Sequence, residues 1–205
     1  MVGAGNAAVK VHLHPSMPSS DGQLVADAVS GDGGAFAELY ARYAERVFVR
    51  VTRLIGPGPD CEDVLQQVFV ALFRALPRFR GDAQLSTFLH KITTNVATDH
   101  LRARGRRSVN HDPTALDTLI DGDQTPEDRA RRRAELQRVF GLLDQIKPEK
   151  RVAFVLVAVE GMSLAEAAEH VGEHAETVKQ RVRRARRELI ALMDDAERHG
   201  DRRPT

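Results

Sequence analysis

The stretch GMSLAEAAEHVGEHAETVKQRVRRARREL, from Gly161 to Leu189, reads as two helices meeting at a tight turn. Gly161 breaks what precedes it, and Ser163 can cap the next helix with Glu166 at the capping-box position. Leu164, Ala167, Ala168 and Val171 share one face of that helix, and Gly172 supplies the turn. In the following helix Val178, Val182, Ala185 and Leu189 recur at spacings of four, three and four, which makes a stripe to bury. The small Ala167 and Ala168 let the two helices cross closely.

With that stripe inward, Lys179, Gln180, Arg183, Arg184 and Arg187 are left facing outward, a layout suited to the phosphate-lined groove of duplex DNA. Arg and Lys match guanine edges and Gln matches adenine. The remaining cations suit phosphates that set register. A basic helix that is merely well solvated is the competing reading.

Upstream, Ser108 to Asp128 holds six acidic residues and no Lys or Arg, with Pro, Gly and Thr and little periodicity. That pattern predicts a flexible acidic linker over 108–128. Before it, Phe36, Leu39, Tyr40, Tyr43, Val47, Val51 and Leu54 predict a helix over Ala35–Ile55, stopped by Gly56 to Pro59. A second helix follows from Asp60, its possible N-cap, to Leu76, with Glu62 and Asp63 in the first turn and Pro77 beyond. A third, capped by Ser86, carries Leu85, Phe88, Leu89, Ile92, Val96 and Leu101 toward Arg104. Helical pattern returns over Arg129–Gln145 and Pro148–Glu160. The expected fold class is all-α: two small helical domains, 23–107 and 129–196, joined by the acidic linker, with a disordered lead-in over 1–22 and a disordered tail over 197–205.

The 205 residues carry a net charge of only +1, but the charge is segregated: Arg102, Arg104, Arg106 and Arg107 crowd one stretch and Lys179 to Arg187 another. A 42% hydrophobic share with 5% aromatics and no Trp predicts aliphatic cores. The single Cys61 cannot form an internal disulfide, and neither a signal-peptide core nor a membrane span is visible, so a cytoplasmic protein is expected. His12 and His14 read as solvated residues rather than metal ligands, and no cofactor or metal is expected. No Gly-rich phosphate loop, metal triad or nucleophile–base signature supports an enzyme.

These motifs together resemble the extracytoplasmic-function group of the sigma-70 family of bacterial RNA polymerase. Phe36-Ala-Glu-Leu-Tyr with Tyr43 resembles the start of the family's region 2. Asp60-Cys-Glu-Asp-Val-Leu-Gln-Gln-Val-Phe-Val resembles its acidic helix, followed by Pro77-Arg-Phe-Arg-Gly and by Leu85-Ser-Thr-Phe-Leu with Ile92, Asn95 and Asp99. Gly161 to Leu189 resembles region 4.

The resemblance implies docking of Asp60, Glu62, Asp63, Gln66 and Gln67 on the clamp helices of the largest polymerase subunit, with the flap of the second largest also a partner. It also implies that the loop of Arg80, Gly81, Asp82, Ala83 and Gln84 holds a flipped minus-10 base, with His90, Lys91, Thr94, Asn95, Thr98 and Arg102 lying along the separated strand. For the minus-35 duplex it nominates Glu176, Thr177, Lys179, Gln180, Arg181, Arg183, Arg184 and Arg186, and it leaves room for an anti-sigma partner. Two departures matter: Phe88 stands where the family has Trp, and Glu176-Thr177-Val178 replaces Gly-Thr-Val, so promoter sequence does not carry over. A stand-alone helix-turn-helix repressor or activator is the alternative; it accounts for the second domain but not for the first or for the linker.

Overall fold

The computed structural model describes residues 20–105, 115–120 and 125–200. Most of the lead-in, Arg106, Arg107, most of the acidic stretch and 201–205 lie outside the described residues. Among the described residues every regular element is helical.

The first domain opens with α1 (Asp21–Val29), a helix not expected from the sequence, where the first helical pattern is assigned at Ala35. Ser20 caps it, Leu24, Val25 and Ala28 are buried, and Asp21 ties it to α2 (Gly33–Ile55) through the Tyr43 hydroxyl and Arg42 at 2.7 Å. Burial, and then the adjacent Asp21 carboxylate, push the Tyr43 phenol up to about 12. Helix α3 (Asp60–Ala75) ends in a short 3-10 turn at Leu76–Arg78, and α4 (Leu85–Arg104) follows. Two expected caps differ. Asp60 is the first helical residue after Pro59, and Gln84 precedes α4, with the Ser86 hydroxyl bonded to the Gln84 side chain instead of capping.

The second domain comprises α5 (Pro126–Leu143), α6 (Pro148–Phe154) with a π-helical extension at Val155–Val159, α7 (Leu164–Val171) and α8 (Ala175–Gly200). The capping box at Ser163 and Glu166 is formed, and Gly172 (φ 66°) ends α7 in the left-handed conformation, which Gly adopts without the usual Cβ penalty. Helix α8 runs four residues into the stretch expected to be a disordered tail.

The linker is not wholly free: Ala115–Leu119 forms a 3-10 turn whose Leu116 is buried against Phe140, Leu143, Ile146 and Ala185, with Asp117 paired to Arg133. Nor do the domains stand apart. One apolar core runs from Leu39, Val51 and Leu89 into Val152, Leu156, Ala167, Ala168 and Val178. Arg104 and Arg151 reach the last carbonyls of α2, at Ile55 (3.1 Å) and Leu54 (2.7 Å), and share Asp144 at 2.7 and 2.5 Å. Carbonyls at a helix C-terminus lack intrahelical partners and favour cations, so these arginines fix where the second domain sits. Burying one Val or Leu is worth about 1.5–3 kcal/mol, whereas a buried ion pair gains little net over an apolar substitute. The apolar core therefore holds the domains together and the ion pairs set their register.

Candidate nucleic-acid interface

The carboxylates of α3 arise from its own periodicity. Val64, Leu65, Val68 and Leu72 turn inward, which leaves Glu62, Asp63, Gln66 and Gln67 exposed along the opposite side, while Asp60 is part-covered and 3.3 Å from His100 Nε2. Asp63, Gln66 and Gln67 line a groove of about 720 Å³ between α3 and α4, together with Val70, Arg74 and Asp99. Exposed Val70 and Phe73 (56% accessible) continue this face. The sequence reading passed over both because an apolar residue in a helix is expected inward. An acidic face with apolar anchors suits a basic protein surface with a hydrophobic centre.

Arg80, Gly81, Asp82, Ala83 and Gln84 are all exposed between the 3-10 turn and α4. Arg80, Gly81, Asp82 and Ala83 form one wall of a pocket of about 210 Å³, whose other lining includes Phe79, Thr87, Phe88 and Lys91, while Gln84 lies beside it without lining it. The Phe79 and Phe88 rings lie 5.1 Å apart, tilted by 42°. Gly81 has φ 77°, which bends the chain around the cavity. Aromatic walls, a side-chain acceptor on Asp82, and nearby cations match what an unstacked nucleobase requires. Phe79 and Thr87 fall within motifs quoted from the sequence but were not nominated for the site.

The side of α4 expected to follow a separated strand is arranged differently from the expectation. Asn95 is exposed, but Thr94 is fully buried and Lys91, His90 and Thr98 are part-covered, because α6 and α7 lie across this side. Arg102 is held by Asp99 (3.1 Å) and by Glu149 of α6 (2.9 Å). His90 faces His170 of α7 with ring centroids 6.4 Å apart. Burial, then the repulsion of Arg50, lowers His90 to about 4, and burial likewise lowers His170.

On α8, Val178, Val182 and Ala185 are buried and Leu189 is part-buried, as the spacing implied. Lys179, Gln180, Arg183, Arg184, Arg186 and Arg187 are exposed, with Glu176 exposed and Thr177 part-covered at the start of the helix. Lys179 pairs with Glu176 at 3.1 Å, and Arg181 turns to Glu173 at 2.7 Å, toward the cleft between the domains, where Asn95, Arg102 and Glu149 also line the wall. Arg181 is thus the one nominated α8 cation that the helix phase does not leave fully open.

Residues 39–107 match the family model of sigma-70 region 2, and residues 136–189 match that of sigma-70, region 4. The chain is 35% identical over 173 residues to the RNA polymerase sigma-H factor of Pseudomonas aeruginosa, covering 81% of this chain and 90% of that one. It is 32% identical over 174 residues to the ECF RNA polymerase sigma-E factor of Escherichia coli, covering 82% and 91%. Among solved structures it is similar to CnrH, determined in complex with the cytosolic domain of CnrY, at 31% identity and a TM-score of 0.57 over 86% of this chain and 99% of that one. Among the described residues no helix is long and apolar enough to cross a membrane.

Proposed function

Because the chain belongs to the extracytoplasmic-function group of the sigma-70 family, we propose a residue-level division of labour for a sigma factor that gives RNA polymerase its choice of promoter. The α3 face of Asp60, Glu62, Asp63, Gln66 and Gln67 docks on core polymerase, with Val70 and Phe73 as its apolar anchors. Its charge steers the approach, and its apolar part supplies the buried area.

The loop pocket takes a flipped minus-10 base. Unstacking requires a few kcal/mol, which stacking near Phe79 and Phe88 and hydrogen bonds to Asp82 and Gln84 offset. Arg80, Lys91, Asn95 and Arg102 follow the separated strand once the second domain has moved off α4. Helix α8 enters the minus-35 major groove: Lys179, Gln180 and Arg183 read base edges, Glu176 and Thr177 contact its edge, and Arg181, Arg184 and Arg186 hold phosphates. The boundaries 23–107 and 129–196 separate these tasks. The chain acts by binding, in the cytoplasm where the polymerase works, and RNA synthesis remains with the core enzyme. CnrH is seen held by the cytosolic domain of CnrY, and a comparable anti-sigma partner fits this chain.

The observation that carries the reading is the pairing, in one chain, of an outward basic α8 with an exposed acidic α3 face and an aromatic-walled loop pocket. A stand-alone repressor needs only the first. Run-off transcription tests it: purified chain added to core polymerase should start RNA at a defined promoter that neither component uses alone. Duplex binding with repression, and no start, would return the assignment to the repressor.

A further inference from the structure

Arg50 of α2 and Glu160 at the end of the π-helical turn form an ion pair across the domain interface at 2.9 Å, with each side chain only 7% exposed. The pair is poorly completed. Arg50 Nη2 reaches Thr94 Oγ1 at 3.4 Å, but Arg50 Nε and both Glu160 oxygens are buried without a hydrogen bond of good geometry. Burial raises the Glu160 carboxyl above its usual range despite Arg50 and Arg53 nearby. Glu160 also closes a helical segment, the end where the backbone dipole disfavours an anion. A buried, incompletely bonded pair in this position gains little over an apolar substitute, but removing one partner strands the other as an uncompensated buried charge in the closed arrangement, so the pair is suited to selecting one arrangement over another.

The surroundings of the pair say what the other arrangement is. Arg46, Arg50 and Arg53 recur at helical spacing on α2 and line a cleft of about 670 Å³ with His90, Val159, Glu160 and Met162. Besides Glu45 of α2 itself, Glu160 is the only acidic residue lining it among the described residues. On the adjacent α4, Lys91 borders the loop pocket beside Arg80. Cations thus occur from the nucleobase pocket across α4 onto α2, where Arg46 stays exposed and Arg53 part-covered, and the second domain covers Arg50 with one carboxylate.

We propose that Glu160 stands in for a nucleic-acid phosphate on Arg50, latching the second domain over the centre of a cationic stripe of Arg46, Arg50 and Arg53 that takes up the backbone of separated single-stranded DNA when the domains part. The proposal rests on the sigma-factor reading and adds to it a phosphate site and an internal competitor for that site. A closed chain binds the strand with an affinity reduced by the fraction that is open. Replacing the competitor raises apparent affinity without any new contact to DNA.

The test uses the full chain with dyes on cysteines introduced at exposed Val29 and Met193, since Cys61 is buried. The probe is a short fluorescent single-stranded deoxyribonucleotide. Glu160→Gln, nearly the same shape, should lengthen the interdomain distance and tighten binding on the order of tenfold. Adding Arg50→Gln to Glu160→Gln should leave the domains apart but lower the slope of log affinity against log salt by about 0.7, the loss of one phosphate contact to a single strand. In the unaltered chain, saturating oligonucleotide should itself lengthen the distance, a readout that needs no variant to fold. Binding and distance unchanged in Glu160→Gln, or no movement of the unaltered chain on saturation, would overturn the latch. An unchanged salt slope in the double variant would overturn the phosphate site. Run-off initiation by the unaltered chain is scored separately, and its absence would overturn the sigma-factor reading rather than the latch comparison.

Discussion

Arg151 and Asp144 allow the docking of the two domains to be tested quantitatively. The Arg151 side chain is 1% exposed; it donates to the Leu54 carbonyl at 2.7 Å and to Asp144 at 2.5 Å, and its guanidinium lies 5.9 Å from the Phe140 ring centre. Burial brings its pKa down to about 10, so it remains cationic near neutrality. Arg151→Met keeps most of the apolar stem and removes two hydrogen bonds of a charged donor, each worth about 1.5–3 kcal/mol, but it also relieves the desolvation of a buried cation. Asp144 keeps Arg104 at 2.7 Å, so no anion is stranded. The net loss should be about 2 kcal/mol, or about 4 to 8 °C in Tm for a chain of this size.

Asp144→Asn removes instead the carboxylate that two buried arginines share, which belongs to the class of change that costs about 3–5 kcal/mol. Urea unfolding followed by circular dichroism at several temperatures gives both values. The ordering is the test. If Asp144→Asn proved milder than Arg151→Met, the ion pairs would not be setting the interface as argued.

Asp63→Arg combined with Gln67→Ala should weaken association with core polymerase roughly tenfold, about 1.4 kcal/mol, at unchanged Tm; equal co-elution would remove the α3 docking face. Arg183→Ala should relax preference at one minus-35 base pair by about 1–3 kcal/mol, whereas Arg184→Ala should weaken all sequences alike and lower the salt slope by about one unit, as read on a randomised minus-35 library. The reverse pattern would mean that the faces of α8 are misassigned. His90, lowered from 6.5 to about 4 by burial and then by Arg50, binds its proton first in the unfolded chain, so its contribution is fully present above about 6.5 and lost as pH falls toward 4. With partial exposure discounted, about 1 kcal/mol should disappear by pH 5. His90→Gln should flatten that part of the stability profile, and an unchanged acid limb would show that His90 is not responsible.

What could be read from the chain follows from which interactions are local. Val178, Val182 and Ala185 repeat at helical spacing, and Ser163 with Glu166 is a three-residue signature, so α7, α8 and their buried faces were legible. Helix α1 was missed although Ser20 before Asp21 and the spacing of Leu24, Val25 and Ala28 carry a cap and a stripe; a single short stripe beside Gly, Pro and Ser was outweighed by composition. The π-helical turn at Val155–Val159 leaves no mark in an unbroken apolar run. The docking of the domains was invisible for a different reason. Arg50, Glu160, Arg104 and Asp144 are ordinary surface residue types, and only tertiary placement brings them together. That same docking explains why Thr94, expected to face DNA, is buried: helical phase gives the side of α4 it occupies but not what lies across that side.

The most direct test of the account is whether this chain makes core polymerase open DNA. Permanganate reactivity of thymines should be followed on a promoter carrying its minus-10 and minus-35 elements, with core polymerase alone, with the chain alone and with both. The account predicts reactive thymines in the minus-10 region only when both are present, and their loss when Asp82 and Gln84 in the loop are both changed to Ala. Duplex that stays unreactive with both present, while the chain alone still protects the minus-35 element, would contradict it.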